Sequence, residues 1–118
     1  MKRFYLRFIK ELLKRRYERK EIRRFCRDIK PFFDYLSNDP CVKTIRGVKL
    51  HHVRNYTDRI KHSCTATTTF MTVLDANNRL CAVKMFCLQM FTAGYIPRDY
   101  AENIGFIEFP SRNKTTRR

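Results

Sequence analysis

Lysine and arginine are the residues whose number and spacing suggest chemistry in this sequence of 118 residues. It contains 26 Lys and Arg against 11 Asp and Glu, a formal net charge of +15. Residues 1–30 hold 13 basic and 4 acidic side chains, and residues 111–118 hold 4 basic and no acidic ones. Residues 31–110, between them, hold 9 basic and 7 acidic side chains. This surplus exceeds what solubility requires and predicts a polyanionic partner, with nucleic acid favoured over an anionic membrane surface.

Histidine and cysteine offer a second kind of chemistry, metal binding. His51, His52, His62 and Cys64 match no zinc-finger spacing, and adjacent histidines on a helix diverge, so we expect no metal and no cofactor. The five cysteines, an odd number without a CxxC pair, are read as reduced core residues of a cytoplasmic protein. Paired carboxylates, a nucleophile beside a base and a glycine-rich phosphate loop are all missing from the sequence, so we expect no catalytic activity from this chain.

The spacing of apolar residues predicts an all-α fold, because few segments alternate with period two. Three helices are expected over residues 2–16, 19–37 and 50–62. Pro31 should kink the second helix or begin a new turn. A fourth helix of about 21 residues should begin at a capping box of Thr72 and Asp75 and stop at Gly94.

The connecting segments are predicted from their composition. Residues 41–49 should supply three core side chains, Val42, Ile45 and Val48. Residues 63–69 read as a polar loop, although the β-branched residues from there to Val73 also allow a short strand or hairpin.

The fourth helix changes character along its length. Its first third carries Asp75, Asn77, Asn78 and Arg79, whereas residues 80–91 contain only two polar side chains, Lys84 and Gln89. A helix that is apolar all round must be buried. We therefore expect the last two-thirds to be the central rod of the bundle and the polar first third to project from it.

Two motifs resemble the N-terminal domain of tyrosine recombinases and phage integrases. Phe25-Cys26-Arg27-Asp28-Ile29-Lys30-Pro31-Phe32-Phe33-Asp34-Tyr35-Leu36 is similar to a helix near the start of that domain. A later helix of that domain resembles Arg79-Leu80-Cys81-Ala82-Val83-Lys84-Met85-Phe86. The segment that follows this helix in the family looks like Gly94-Tyr95-Ile96 and Ala101-Glu102-Asn103-Ile104. Order and spacing agree over residues 4–112.

The resemblance implies a core-binding domain, a small SAM-like orthogonal bundle of four to five helices that forms one half of a clamp around double-stranded DNA. It implies that residues 1–112 are this domain and that residues 113–118 are a basic linker toward a catalytic domain of the same parent protein. Contact with other recombinase protomers on DNA, and a nucleoid-associated location in the cytoplasm, are further expectations from the family.

The family contacts DNA at the starts of its second and fourth helices. The matching positions here are Lys20, Arg23, Arg24 and Arg27 in the second helix, and Asn77, Asn78, Arg79 and Lys84 in the fourth. Basic side chains would bind phosphates, and an asparagine amide can bridge the N6 and N7 atoms of adenine.

Two alternatives stay open. Glu18 and Glu21 stand where the family has small hydroxyl residues, and a continuous first and second helix with these acids paired to arginines is one arrangement that would accommodate them. A membrane-surface or protein-interaction module is the second alternative, because the first helix alone is basic and amphipathic. Such a membrane module would place its basic residues beside exposed Phe4 and Phe8, whereas a DNA module would gather them on one concave face.

Overall fold

The computed structural model describes residues 2–64 and 69–109, and within these ranges it contains four α-helices and no strand. The helices are α1, Lys2–Lys14; α2, Arg19–Ser37; α3, Leu50–His62; and α4, Phe70–Thr92, with one 3-10 turn at Ile45–Gly47. The predicted all-α fold is confirmed, as are the bounds of the second and third helices. The predicted linker over residues 113–118 lies outside the described residues.

A cluster of five phenylalanines joins the first, second and fourth helices. Phe86 of α4 lies 5.2 Å from Phe33, 6.0 Å from Phe8 and 6.0 Å from Phe32 between ring centroids, and 6.4 Å from Phe4. All five rings are buried. Because α4 also packs against α3, it contacts every other helix, as a central rod must, and α2 does so too.

α1 and α2 are separate helices, so the continuous helix considered above is wrong. Arg16, at φ +65°, adopts the left-handed conformation that ends α1, and Tyr17 N donates to Leu12 O at 3.2 Å. This is the Schellman pattern, which usually requires glycine. α2 then begins with Glu18 as its N-cap, and the Glu21 carboxylate accepts the Glu18 N–H at 3.1 Å. Glu21 therefore caps the start of α2.

The prediction for α4 is wrong at its start and confirmed at its end. The predicted start at Thr72 and Asp75 is wrong, because Thr69 is the N-cap and its hydroxyl accepts the Thr72 N–H at 3.2 Å. The predicted stop is confirmed: Gly94 has φ +86° and its N–H donates to Phe91 O at 3.0 Å.

Two other helical expectations need correction. α2 runs through Pro31 as one helix, so the new turn expected there is wrong, whereas the alternative, a kink at Pro31, stays a prediction. The segment up to Val73 is helical from Phe70 onward, so it is not a strand, and residues 65–68 lie outside the described residues.

The connector between α2 and α3 packs as predicted, whereas the rod is less fully buried than predicted. Val42, Ile45 and Val48 are all buried, which confirms the prediction. On α4, however, Leu88 and Phe91 remain 42% and 44% exposed. Gln89 is fully buried, and neither its amide nitrogen nor its amide oxygen has a hydrogen-bond partner among the described residues.

Replacement of this buried amide should stabilise the fold. Gln89→Met keeps the side-chain length and removes two unsatisfied polar atoms, so we expect the free energy of unfolding to rise by about 1–3 kcal/mol. Urea unfolding monitored by circular dichroism would measure the change. Gln89→Ala, which also removes the amide but leaves a cavity, is the control and should be less stable than Gln89→Met. A Met variant less stable than the wild type would contradict the prediction.

Candidate nucleic-acid interface

The four predicted residues of α2 lie together on its solvent side. Lys20, Arg24 and Arg27 follow the spacing i, i+4, i+7, which places them on one stripe of the helix, and Arg23 adjoins it. All four are exposed, whereas Ile29 on the opposite face is buried. We call these four residues the α2 stripe.

Acidic residues neutralise little of the α2 stripe. Arg27 Nε lies 3.6 Å from Asp28 Oδ1, and no other member of the stripe has a carboxylate within 4.0 Å among the residues that the structure describes. Long exposed cations without partners bind phosphate at little cost, since no ion pair has to be broken first.

Asp28 connects the α2 stripe to the beginning of α4. It is buried beneath the stripe, and burial raises the pKa of its carboxyl group above the ordinary value. The positive charge of Arg27 opposes this shift, the negative charge of Asp75 on α4 adds to it, and Arg24 also opposes it. The α2 stripe and the first turns of α4 are therefore within electrostatic reach of each other.

Arg79 and Asn78 are the accessible members of the α4 set. Arg79 Nη2 lies 3.3 Å from Asp75 Oδ2, one helical turn away, and both side chains are substantially exposed. Such a surface pair is worth at most about 1 kcal/mol, so a phosphate can replace the carboxylate readily. Asn78 is half-buried, and its amide makes no hydrogen bond within the described part of the chain.

Asn77 and Lys84 have partners inside the protein. The Asn77 amide donates to Ile107 O at 2.9 Å and accepts the Ile107 N–H at 2.8 Å. Lys84 Nζ donates to Ala101 O at 3.0 Å and to Ile104 O. The two positions are seven residues apart and share one face of α4. Their polar groups hold the segment after α4, and a contact with DNA would require them to leave these partners.

This C-terminal segment runs antiparallel to α4 along the face of Asn77 and Lys84. The Lys84 ammonium lies 5.7 Å from the Phe106 ring centroid, and farther along the segment Phe109 stacks on Phe70 with centroids 4.6 Å apart. The segment thus covers one side of the polar start of α4, which was expected to project freely. Val73 and Ala76 in that third are buried as well.

A second basic stripe lies on α1, whose basic and amphipathic character was predicted although its individual residues were not assigned to a site. Arg3, Arg7, Lys10 and Lys14 are spaced by four, three and four residues, so they line one side of α1. The signal was present in this spacing, because the same helix buries Phe4 and Phe8 on its other side. We call these four residues the α1 stripe.

One histidine, His52, belongs to a structural hydrogen-bond network. Asp39, His51 and His52 are close enough for a metal site, with potential ligand atoms within 4.8 Å. His52 Nδ1, however, accepts the Lys49 N–H at 2.9 Å, so Nε2 carries the proton and donates to Asp39 at 2.8 Å. The other Asp39 oxygen accepts the Cys41 N–H at 2.9 Å. These bonds join the end of α2 to the start of α3.

The cysteines do not all behave as core residues. Cys87 is buried, and burial raises the pKa of its thiol, which makes it unreactive. Cys41 is exposed, and Cys26, Cys64 and Cys81 are half-buried. None of the five forms a disulfide.

The Asp39–His52 pair predicts a pH-dependent contribution to stability. Hydrogen bonds from His52 and from the Cys41 N–H lower the pKa of Asp39 below its ordinary value of 3.8. The contribution is therefore present above the unfolded-state pKa of about 3.9 and is lost as the pH falls through the lower folded-state pKa. In urea unfolding, the stability difference between the wild type and Asp39→Asn should shrink from pH 5 to pH 2.5. Asp58→Asn, on the exposed side of α3, is the control, and a pH-independent difference for Asp39→Asn would refute the assignment.

Removal of the Asn77 amide should release the C-terminal segment. Asn77→Ala deletes two hydrogen bonds of about 1 kcal/mol each, so the Ile107 amide proton should exchange with solvent at least about ten times faster. Hydrogen–deuterium exchange followed by NMR measures this rate. Asn78→Ala, one position along the same helix, should leave it unchanged, and equal rates in the two variants would contradict the structural role of Asn77.

The chain matches no protein-family model, no curated protein and no solved structure. The similarity of its motifs to tyrosine recombinases therefore stays a resemblance.

Proposed function

We propose that this chain binds double-stranded DNA as the core-binding module of a tyrosine recombinase or integrase. The observation that carries the proposal is the α2 stripe, whose Lys20, Arg23 and Arg24 are exposed without acidic partners in the described ranges. Its cations would bind the phosphates of one recombination half-site, and the parent protein's catalytic domain would bind from the opposite side.

The two groups of side chains would make different contributions to binding. The α2 stripe would supply affinity that depends on salt and not on sequence, since each phosphate contact releases a condensed counterion. Among the described residues the Asn78 amide has no partner for its donor or its acceptor, and a bidentate contact to an adenine would use both. Asn77 and Lys84 would support this surface by holding the C-terminal segment against α4.

The membrane-surface alternative loses its predicted anchors. Phe4 and Phe8 are only 3% and 0% exposed, so neither ring can enter a bilayer while the core is intact. No helix among the described residues is long and apolar enough to cross a membrane. Leu6 and Leu13 are exposed on the outer side of α1, and they give this alternative a direct test.

A salt titration of duplex binding tests the proposal. The double variant Arg23→Gln/Arg24→Gln should lower the slope of log K against log salt by about 1.8, because each lost phosphate contact contributes about 0.9. Fluorescence anisotropy with a labelled duplex measures the slope. Arg54→Gln/Arg98→Gln, which removes the same charge from exposed positions on α3 and after α4, is the control. Equal slopes for the two double variants would reduce the interaction to general electrostatic attraction and contradict the assigned surface.

Single substitutions on α4 separate attraction from recognition. Arg79→Ala should lower the salt slope by about 0.9, the value of one contact, whereas Asn78→Ala should change only the preference among duplex sequences. Binding to anionic vesicles that is lost in Leu6→Ser/Leu13→Ser, together with no duplex binding at low salt, would instead favour the membrane module.

A further inference from the structure

A basic groove lies at the other end of α4, formed by three separate parts of the chain. The volume of the groove is about 480 Å³. Its cationic side chains come from α1 and from the connector between α2 and α3: Arg3, Arg7, Lys10, Lys43 and Arg46. No acidic residue lines it. Five positive charges around one groove favour an anionic ligand.

Tyr95 holds two of these cations in place. The guanidinium carbons of Arg7 and Arg46 lie 4.9 and 5.2 Å from the centroid of the Tyr95 ring. Tyr95 is itself fixed at the end of α4, where its N–H donates to Met90 O at 2.8 Å. A guanidinium that stacks on an aromatic ring keeps its N–H edge free, and this edge matches two oxygens of a phosphate.

The remaining contacts of the two arginines leave that edge available. Arg46 Nη1 donates to Gly94 O at 3.3 Å, which orients the side chain without neutralising it. Arg7 Nη1 lies 3.9 Å from Glu11 Oε2, a long ion pair that offsets part of the charge of Arg7 without a hydrogen bond. The Glu11 side chain is only 10% exposed and does not line the groove.

The floor of the groove is apolar. Phe4 and Ile45 form part of it, and exposed Leu6 lies at its edge. A simple inorganic anion would use only the cations and would leave this apolar surface in water. A phosphate ester of a nucleotide uses both, since its phosphates bind guanidinium groups and its base and sugar cover apolar surface.

The groove is separate from the α2 stripe. Tyr95 of the groove follows the last residue of α4, and Phe4 of the groove packs against Phe86, which is seven residues, or about 10 Å of helix, from Arg79. No residue of the α2 stripe lines the groove. A ligand in the groove therefore requires no DNA on the α2 stripe.

We propose that this groove is a binding site for nucleotide phosphate esters, in which Arg7 and Arg46 hold the phosphate and Tyr95 holds the arginines. The ester can belong to a single nucleic-acid strand or to a free nucleotide. Lys10 and Lys43 add attraction at the rim. The site stands without the DNA-binding function proposed above, because its residues and its position are different.

Binding of two probes to the full chain tests the site: a 5′-phosphorylated thymidine tetranucleotide and ATP, by isothermal titration calorimetry. Arg7→Gln/Arg46→Gln should weaken binding of the preferred probe at least about tenfold. Arg54→Gln/Arg98→Gln, with the same net charge, should weaken it less than about twofold, since these side chains lie outside the groove. Tyr95→Leu keeps every charge and should still weaken binding several-fold.

The two sources of the ester give different results. A strand is indicated when the tetranucleotide binds more tightly than ATP, and a free nucleotide when ATP binds more tightly and displaces the tetranucleotide. In both cases the preferred probe should shift the amide signals of Arg46 and Gly47 in NMR spectra of the wild-type protein. This measurement does not depend on how well any variant folds.

Four results would overturn the proposal. The first is that neither probe binds, and the second is that the groove and control double variants lose equal affinity for the preferred probe. The third is that a hexaglutamate peptide binds as tightly as the preferred probe. The fourth is that Arg23→Gln/Arg24→Gln loses as much affinity as the groove variant. The last result would assign the probes to the α2 stripe. Failure of duplex binding with intact probe binding in the groove would overturn only the function proposed above.

Discussion

The rest of the structure depends on the packing of Phe86 against the phenylalanines of α1 and α2. Burial of one such ring is worth about 1.5–3 kcal/mol, and edge-to-face contacts add to it. Since Phe8 and Phe33 must face Phe86, the opposite sides of their helices must face solvent. Those sides carry the α1 stripe and the α2 stripe. The apolar cluster therefore decides where the positive charge of the chain is displayed, and it bears the cost of the repulsion between those charges.

The segment after α4 provides partners inside the protein for two polar residues that the resemblance to recombinases assigns to DNA contact. Asn77 bonds to the backbone of Ile107, and Lys84 bonds to that of Ala101 and Ile104. An extended segment has unpaired backbone groups, and an asparagine that both donates and accepts satisfies two of them at once. The polar start of α4 thus has two sides. One side binds the segment after α4, and the other carries Asn78 and Arg79.

Features that depend on neighbouring residues could be predicted from the sequence, and features that depend on distant residues could not. Apolar spacing defined α2 and α3 to the residue, and Gly94 marked the end of α4, because glycine is favoured at positive φ. Arg16 also has a positive φ and ends α1, but the sequence did not predict this, since arginine rarely adopts that conformation. The partner of Asn77 lies 30 residues away, and helical periodicity identifies a face but not what covers it. For the same reason the groove, built from α1, the connector and Tyr95, was not predictable.

Charge distribution links the groove to the stability of the bundle. The cations of the groove lie together without a carboxylate among the lining residues, and their repulsion opposes the docking of the connector, with Lys43 and Arg46, beside α1. Stacking of Arg7 and Arg46 on Tyr95 offsets part of this repulsion, because the face of an aromatic ring is negative. An anion in the groove would remove the remainder. Anything that binds the folded chain and not the unfolded one stabilises the fold by mass action, so occupation of the groove and stability of the fold are thermodynamically linked.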